Sequence, residues 1–206
     1  MKASKILLIA LCLLPLSAFA DGGYYVGGGF GLSKFEDNIP GSETEPPVPN
    51  EISDSEFGYK IFAGYKFNKN WSTELGYIDF GSAKGAYKSL DFEMEATGLY
   101  LQGMYHWTFS KTWMLDLYLG LNRAEGKSNI GSGICALPSP PSFCNNKDSV
   151  WGFSVGIGPR WEPTEHFGTR LQFEYTSLKF DDNTGLSSEE QFEIKYRIGL
   201  DAYYKF

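Results

Sequence analysis

The sequence has no apolar run long enough to cross a membrane as a helix. Its longest, Ile6 to Leu14, falls far short of the roughly 20 residues such a span needs, and mean hydropathy lies below zero. Together these exclude a helical membrane protein. They say nothing against a β-barrel, whose strands average lipid-facing and lumen-facing residues toward neutrality. Histidine is scarce, with His106 and His166 alone, so little imidazole chemistry is on offer. Basic residues are outnumbered, 18 Lys and Arg against 25 Asp and Glu, for a net charge of −7. A chain this acidic is a poor partner for nucleic acid. No regular calcium-loop spacing occurs, and no cofactor or metal site is expected.

The amino terminus has the layout of an export signal. Lys2 and Lys5 precede the apolar run, and Ala18-Phe19-Ala20 supplies a small-x-small cleavage site. Residues 1–20 read as a removed signal peptide and 21–206 as one mature domain; loss of the two lysines takes −7 to −9. Cys12 lies inside the leader, and Leu11 before it is too large for a lipoprotein cleavage site.

What the mature chain does have is period-two alternation, clearest at its end. Phe192, Ile194, Tyr196, Ile198, Leu200, Ala202, Tyr204 and Phe206 share one parity; Glu193, Lys195, Arg197, Gly199, Asp201, Tyr203 and Lys205 share the other. A strand between lipid and a polar lumen needs that division. Eight such segments fall near 24–35, 57–67, 71–80, 97–107, 113–124, 150–161, 169–178 and 192–206, each with the ~9–11 residues that cross a bilayer at a tilt. The predicted fold is all-β: an eight-stranded, antiparallel, up-and-down transmembrane β-barrel with a polar interior. A soluble lipocalin-type barrel would carry its apolar residues inside. Here the bulky aliphatic residues fill unbroken faces, while glycines and ions share the opposite ones.

The connections alternate in length. Those at 68–70, 108–112 and 162–168 are short and read as periplasmic turns; those at 36–56, 81–95, 125–149 and 179–191 are long and read as extracellular loops. Trp71, Trp107, Trp113 and Trp161 all flank the short turns, as an aromatic girdle at one interface would. The first long loop carries seven carboxylates and four prolines without a single Lys or Arg. In the third, Cys135 and Cys144 are the only mature cysteines. Passage through an oxidising periplasm predicts a disulfide between them, worth on the order of 2–3 kcal/mol by chain entropy.

The runs YYVGGGFGLSKF and FAGYKFNKNWSTELGYIDFG, with the terminal Tyr204-Lys205-Phe206, resemble the OmpA-like family of eight-stranded outer-membrane barrels. The likeness covers the barrel and not the peptidoglycan-binding domain that larger relatives carry. It implies a bacterial outer-membrane location, assembly through periplasmic chaperones and the insertion machinery, and an insertion signal at Tyr204 and Phe206. It also matches Glu74 and Arg170 to a central lumen ion pair, although Met104 and Arg160 stand where relatives carry other charged residues.

Candidate functional residues follow from the inward parity: Lys60, Glu74, Asp116, Arg170, Glu174, Lys195, Arg197 and Asp201. Buried charges must pair, since an isolated one costs roughly several kcal/mol, so these predict an ion network plugging the lumen. Catalysis by a His–Ser pair on lipid A is not expected, because both histidines fall at the short-turn end, away from the outer leaflet. The expected function is non-enzymatic: envelope integrity, with loops presented for adhesion to a host ligand. A narrow, porin-like channel for ions or small solutes is the alternative. Outer-membrane lipid and lipopolysaccharide are the expected surroundings, and the expected state is a monomer.

Overall fold

The computed structural model describes residues 22–38, 55–87, 90–131, 145–181 and 191–206. The expected leader, most of the acidic loop, and both Cys135 and Cys144 lie outside the described residues. Eight strands follow in order: β1 (Gly23–Asn38), β2 (Ser55–Lys66), β3 (Trp71–Tyr87), β4 (Leu90–Thr108), β5 (Trp113–Gly131), β6 (Asn145–Trp161), β7 (Phe167–Asp181) and β8 (Gln191–Lys205). Each pairs antiparallel with the next, and β8 returns to β1 to close the barrel. Closure satisfies the backbone groups that lipid could not, because no strand edge is left in the hydrocarbon.

Side-chain oxygens fix the short turns. Asn68 Oδ1 accepts from the amides of Asn70 (2.9 Å) and Trp71 (3.0 Å). Ser110 Oγ accepts from Trp113 N at 3.0 Å, and Thr164 Oγ1 from Phe167 N at 3.0 Å. Such local bonds replace ladder partners where the chain reverses. The register they set puts the apolar parity outside: Ile61, Leu75, Leu101, Leu119, Phe153 and Leu200 are all exposed. Pro159, inside β6, has no N–H to donate. The β6–β7 ladder is interrupted there, between Ile157↔Phe173 and Arg160↔Arg170.

The end opposite the short turns departs from the expected picture in three ways. First, the 81–95 connection is largely strand, and so are both ends of the 125–149 connection. β3 and β4 pair on through Ser82↔Glu95 to Tyr87↔Leu90, and β5 and β6 through to Asn129↔Asn145. Ladder bonds continue there although no lipid remains to enforce hydrophobic alternation, so the sequence shows no strand signal. At 19 residues each, β4 and β5 extend about 60 Å along the strand, well past the ~25 Å apolar band.

Second, the interior at this end is apolar. Phe35, Ile78, Phe80, Ala83, Ala96, Ala124, Leu178, Phe180 and Ile194 are all buried and belong to one cluster. Third, bulges shift the facing of residues. Lys195 is an extra residue of β8 against β1, between Lys34↔Tyr196 and Phe35↔Ile194. Ile194, expected outside, is therefore 0% exposed in the core, and Lys195, expected in the lumen, has a side chain 29% exposed beside Glu193. A slip of one residue reverses facing beyond it.

On β3 the bulge is at Gly81, whose φ is 95° and whose amide donates to Asp79 Oδ1 at 2.9 Å. A Cβ there would also lie 2.6 Å from the Phe57 carbonyl oxygen. Replacement of Gly81 by Val should destabilise the barrel by about 1–3 kcal/mol, because a β-branched residue at positive φ is strained. Urea unfolding in vesicles measures this; an unchanged midpoint would show that the bulge relaxes at no cost.

Candidate functional site

Inside the barrel, alternation leaves a narrow lumen, and glycines decide where large side chains fit. Tyr25 of β1 lies opposite Gly64 of β2, where a Cβ would come within 2.1 Å of the Tyr25 ring. Tyr118 of β5 lies likewise opposite Gly156 of β6, where a Cβ would come within 2.2 Å of the Tyr118 ring. The tyrosine rings fill the space, and the hydroxyls of several inward tyrosines reach the charged groups on the axis.

Arg170, from β7, is at the centre. Its Nη2 donates to Glu74 Oε1 at 2.8 Å and its Nε to Asp201 Oδ2 at 2.7 Å, with all three side chains fully buried. Glu74 Oε1 also accepts from the Tyr100 hydroxyl (2.7 Å) and Gln102 Nε2 (3.0 Å), while Tyr25 donates to Oε2 at 3.3 Å. Lys60 Nζ lies 2.8 Å from Asp201 Oδ2 and donates to Gln172 Oε1. Met104, the uncharged residue in the ring, takes Arg170 Nη1 on its sulfur at 3.1 Å. The guanidinium also lies 4.8 Å from the centre of the Phe62 ring, a cation–π contact in a desolvated setting.

A second tier lies toward the short turns. Asp116 of β5 accepts from Arg160 Nε at 2.7 Å and faces His106 Nδ1 at 2.7 Å. His106 Nε2 is 2.9 Å from Ser72 Oγ. A carboxylate only accepts, so Nδ1 carries the proton toward Asp116 and, in the neutral ring, Nε2 accepts from Ser72. These distances are those of a Ser–His–carboxylate triad, but Ser72 is 3% exposed and His106 is fully buried. Below them Glu162, in the turn after β6, accepts from Tyr203 (2.6 Å) and Lys205 (2.5 Å).

Of the residues named from parity, the structure joins Lys60, Glu74, Arg170 and Asp201 in one cluster and places Asp116 in the adjacent tier. Glu174 faces inward but accepts from Thr176 Oγ1 at 3.1 Å and has no ion pair among the described residues. Arg197 is 1% exposed, and none of its guanidinium nitrogens has a hydrogen-bond partner among the described residues. Lys195 is outside the cluster, for the reason given by the β8 bulge. The four tryptophans are exposed on the outer face, with Trp113 and Trp161 stacked at 6.2 Å. Tyr204 and Phe206 are exposed at the barrel's end and meet edge-on at 5.5 Å.

The residues not singled out from sequence are Tyr25, Ser72, Tyr100, Gln102, Gln172 and Tyr203. Ser72 aside, their signal was a tyrosine or amide on the polar parity set against a glycine on the next strand. It becomes readable only once the register is known. No cluster of three or more His, Cys, Asp or Glu side chains suited to a metal occurs among the described residues.

Residues 6–206 match the family model described as outer membrane protein beta-barrel domain. No curated protein matches the chain. Among solved structures, Ail of Yersinia pestis, in complex with the heparin analogue sucrose octasulfate, aligns with TM-score 0.54 at 15% identity, covering 90% of this chain and 99% of Ail. Neisserial surface protein A aligns with TM-score 0.55 at 15% identity, over 89% of this chain and 97% of its own. Outer membrane protein W of E. coli gives 0.52 at 13% identity, over 90% and 98%. Likeness at these identities concerns the fold.

Two measurements test the geometry. Glu74→Gln or Arg170→Met alone should cost about 3–5 kcal/mol by stranding the partner charge, while the double variant should cost clearly less than the sum. Additive losses in reversible urea unfolding would mean the pair is not coupled. For Glu162, burial raises its carboxyl, but hydrogen bonds from Lys205 and Tyr203 outweigh that and hold it below its ordinary value. Its contribution is therefore present above the ordinary carboxylate pKa and lost as pH falls through the depressed one. Glu162→Gln should lower stability at neutral pH and match the wild type at strongly acid pH. A pH-independent difference would rule out the ionised pair.

Proposed function

The chain belongs to the outer membrane protein β-barrel domain family and resides in the outer membrane; from that premise we propose that it is a sealed, non-enzymatic barrel that stiffens the envelope and meets partners through its parts beyond the lipid. One observation carries the reading: the lumen is filled twice over. Fully buried Arg170, Glu74 and Asp201 close it at mid-height, and Phe35, Phe80, Leu178, Phe180 and Ile194 close it again toward the far end, none more than 3% exposed. An ion would have to part a hydrogen-bonded charge cluster and then cross a dry apolar plug, where transfer of a charge is prohibitive.

The non-enzymatic part is supported by the burial of Ser72. Its hydroxyl has the partners of a nucleophile, but within a filled lumen no substrate reaches it. The surface-interaction part is supported by the strands that carry the barrel far past its apolar band. Its expected contact regions, most of the acidic loop and the Cys135–Cys144 segment, lie outside the described residues. Ail has been solved with a heparin analogue, but the present chain carries no Lys or Arg in its first long loop, so that ligand is not carried over. What would dock there is a basic surface.

Planar-bilayer recording of the refolded mature protein, beside Glu74→Gln and Arg170→Met, separates this from a channel. Silence in the wild type is the expected outcome. Reproducible openings whose conductance changes with either substitution would make the charge cluster a gate and overturn the sealed reading.

A further inference from the structure

Among the described residues, the outer wall of this barrel carries no charge between its two ends, and the first ionic residue met above the apolar band differs in sign around the circumference. On β5 it is Arg123, just beyond Leu121; on β6 Lys147, beyond Trp151; on β7 Lys179, beyond Tyr175; on β8 Lys195, beside Tyr196; on β1 Lys34, beyond Leu32. These five strands are consecutive in the closed barrel. On the opposite wall, β3 and β4 present Asp79 and Glu95 at the equivalent place. A protein of net charge −7 has thus placed cations along one continuous arc at the rim of its lipid-facing surface.

Within the arc, β5 and β6 hold a specific arrangement. Lys127 and Lys147 are directly opposite in the ladder, a like-charge pairing that destabilises a sheet unless something negative lies between them. Lys127 has Glu125 only at 4.0 Å, and Lys147 is exposed with no ion pair among the described residues. Arg123, also exposed, lies 5.7 Å from the Trp151 ring, so its guanidinium is held against an interfacial tryptophan with its edge free to donate. From Trp113 to Arg123, ten residues of tilted strand rise about 25 Å, the height of the apolar band. The arc therefore stands at headgroup level on the side away from the short turns.

We propose that the β5–β6–β7–β8–β1 arc, with Arg123, Lys127, Lys147 and Lys179 at its core, is a binding site for the phosphates of lipid A in the outer leaflet. This rests on the outer-membrane reading above and names the partner and the wall that meets it. Charge complementarity and continuity with the lipid-covered band select a phosphorylated glycolipid, whose acyl chains lie on Leu119, Leu121 and Phe153 while its phosphates meet the cations. Arg supplies bidentate bonds to phosphate and Lys a point charge. The acidic β3–β4 wall lacks this fit, so the bound lipid is one-sided.

The test uses the mature protein inserted into phosphatidylcholine vesicles containing bisphosphorylated lipid A, dephosphorylated lipid A, or phosphatidylglycerol of matched charge. The readout is the unfolding temperature from the heat-dependent shift in gel mobility. Bisphosphorylated lipid A should raise it above both other mixtures, and added salt should shrink the gain. In Arg123→Gln/Lys147→Gln/Lys179→Gln at least half of the gain should vanish, while Asp79→Asn/Glu95→Gln keeps all of it. If the triple variant fails to fold in phosphatidylcholine alone, Lys147→Gln serves for the same comparison. An undiminished gain in the basic variants, or an equal gain from phosphatidylglycerol, overturns the site. Failure of the wild type to insert into any vesicle would instead overturn the barrel reading beneath it.

Discussion

A guanidinium with no access to water sits at the middle of this barrel, and the arrangement of the lumen follows from the need to keep it there. Arg170 stays charged at any pH a cell meets, so its desolvation has to be met by fixed acceptors. Glu74 on the facing wall and Asp201 on the adjoining strand meet it from two sides. Glu74 then finds donors for its remaining lone pairs in Tyr25, Tyr100 and Gln102, and Lys60 joins Arg170 on Asp201 Oδ2, while Asp201 Oδ1 has no hydrogen-bond partner among the described residues. The tyrosines reach inward only because glycines stand opposite them. Asp116, Arg160 and His106 extend the same logic to β5, β6 and β4. Every strand thus contributes a side chain to a brace across the lumen, and a shift of register in any one of them would strand a charge.

The interior is divided because its two halves face different surroundings. At lipid depth the outside is hydrocarbon, so apolar residues have no reason to turn inward, and the inside is left to charges and hydroxyls. Beyond the lipid the outside is water, and the ordinary hydrophobic drive returns. Phe80, Phe180, Leu178 and Ile194 then pack inside as they would in a soluble barrel. The bulges at Gly81 and Lys195 stand near this changeover, where a strand has to exchange one facing for the other. An apolar upper storey is a natural result of extending strands past the membrane, and it fills the lumen there with buried side chains.

Much of this was legible in the chain. Strand number, closure, the short turns and the outer tryptophans follow from alternation of residues such as Leu115 to Leu121, which must face lipid on one side only. The central cluster was legible as a set, because Lys60, Glu74, Arg170 and Asp201 share a parity that leaves them nowhere else to go. Individual partners were not. Parity says which face a residue occupies but not how far up the wall it stands, so Glu174 and Arg197 looked like members of a network they adjoin without joining. Lys195 and Ile194 were misplaced because a bulge leaves no mark in a hydrophobic pattern. The strands at 82–95 were hidden for a related reason: above the lipid, Glu93, Glu95 and Lys127 are acceptable on the outer face, and the alternation that reveals a strand disappears.

The Ser72–His106–Asp116 chain shows how little a catalytic-looking geometry means by itself. A hydroxyl, an imidazole and a carboxylate in series also solve a structural problem: Asp116 needs donors for both oxygens, and a buried imidazole needs one donor and one acceptor. Arg160 and His106 supply the first need, Asp116 and Ser72 the second. Nothing remains unsatisfied to drive chemistry, and the second carboxylate oxygen is already held by a guanidinium. A hydrolase exposes its serine at a cleft beside donors aimed at a developing oxyanion; here the serine faces a lumen already filled by tyrosines and arginines. What distinguishes a site from a brace is access, and among the described residues the outer wall and the strands beyond the lipid have it while Ser72, His106 and Asp116 do not.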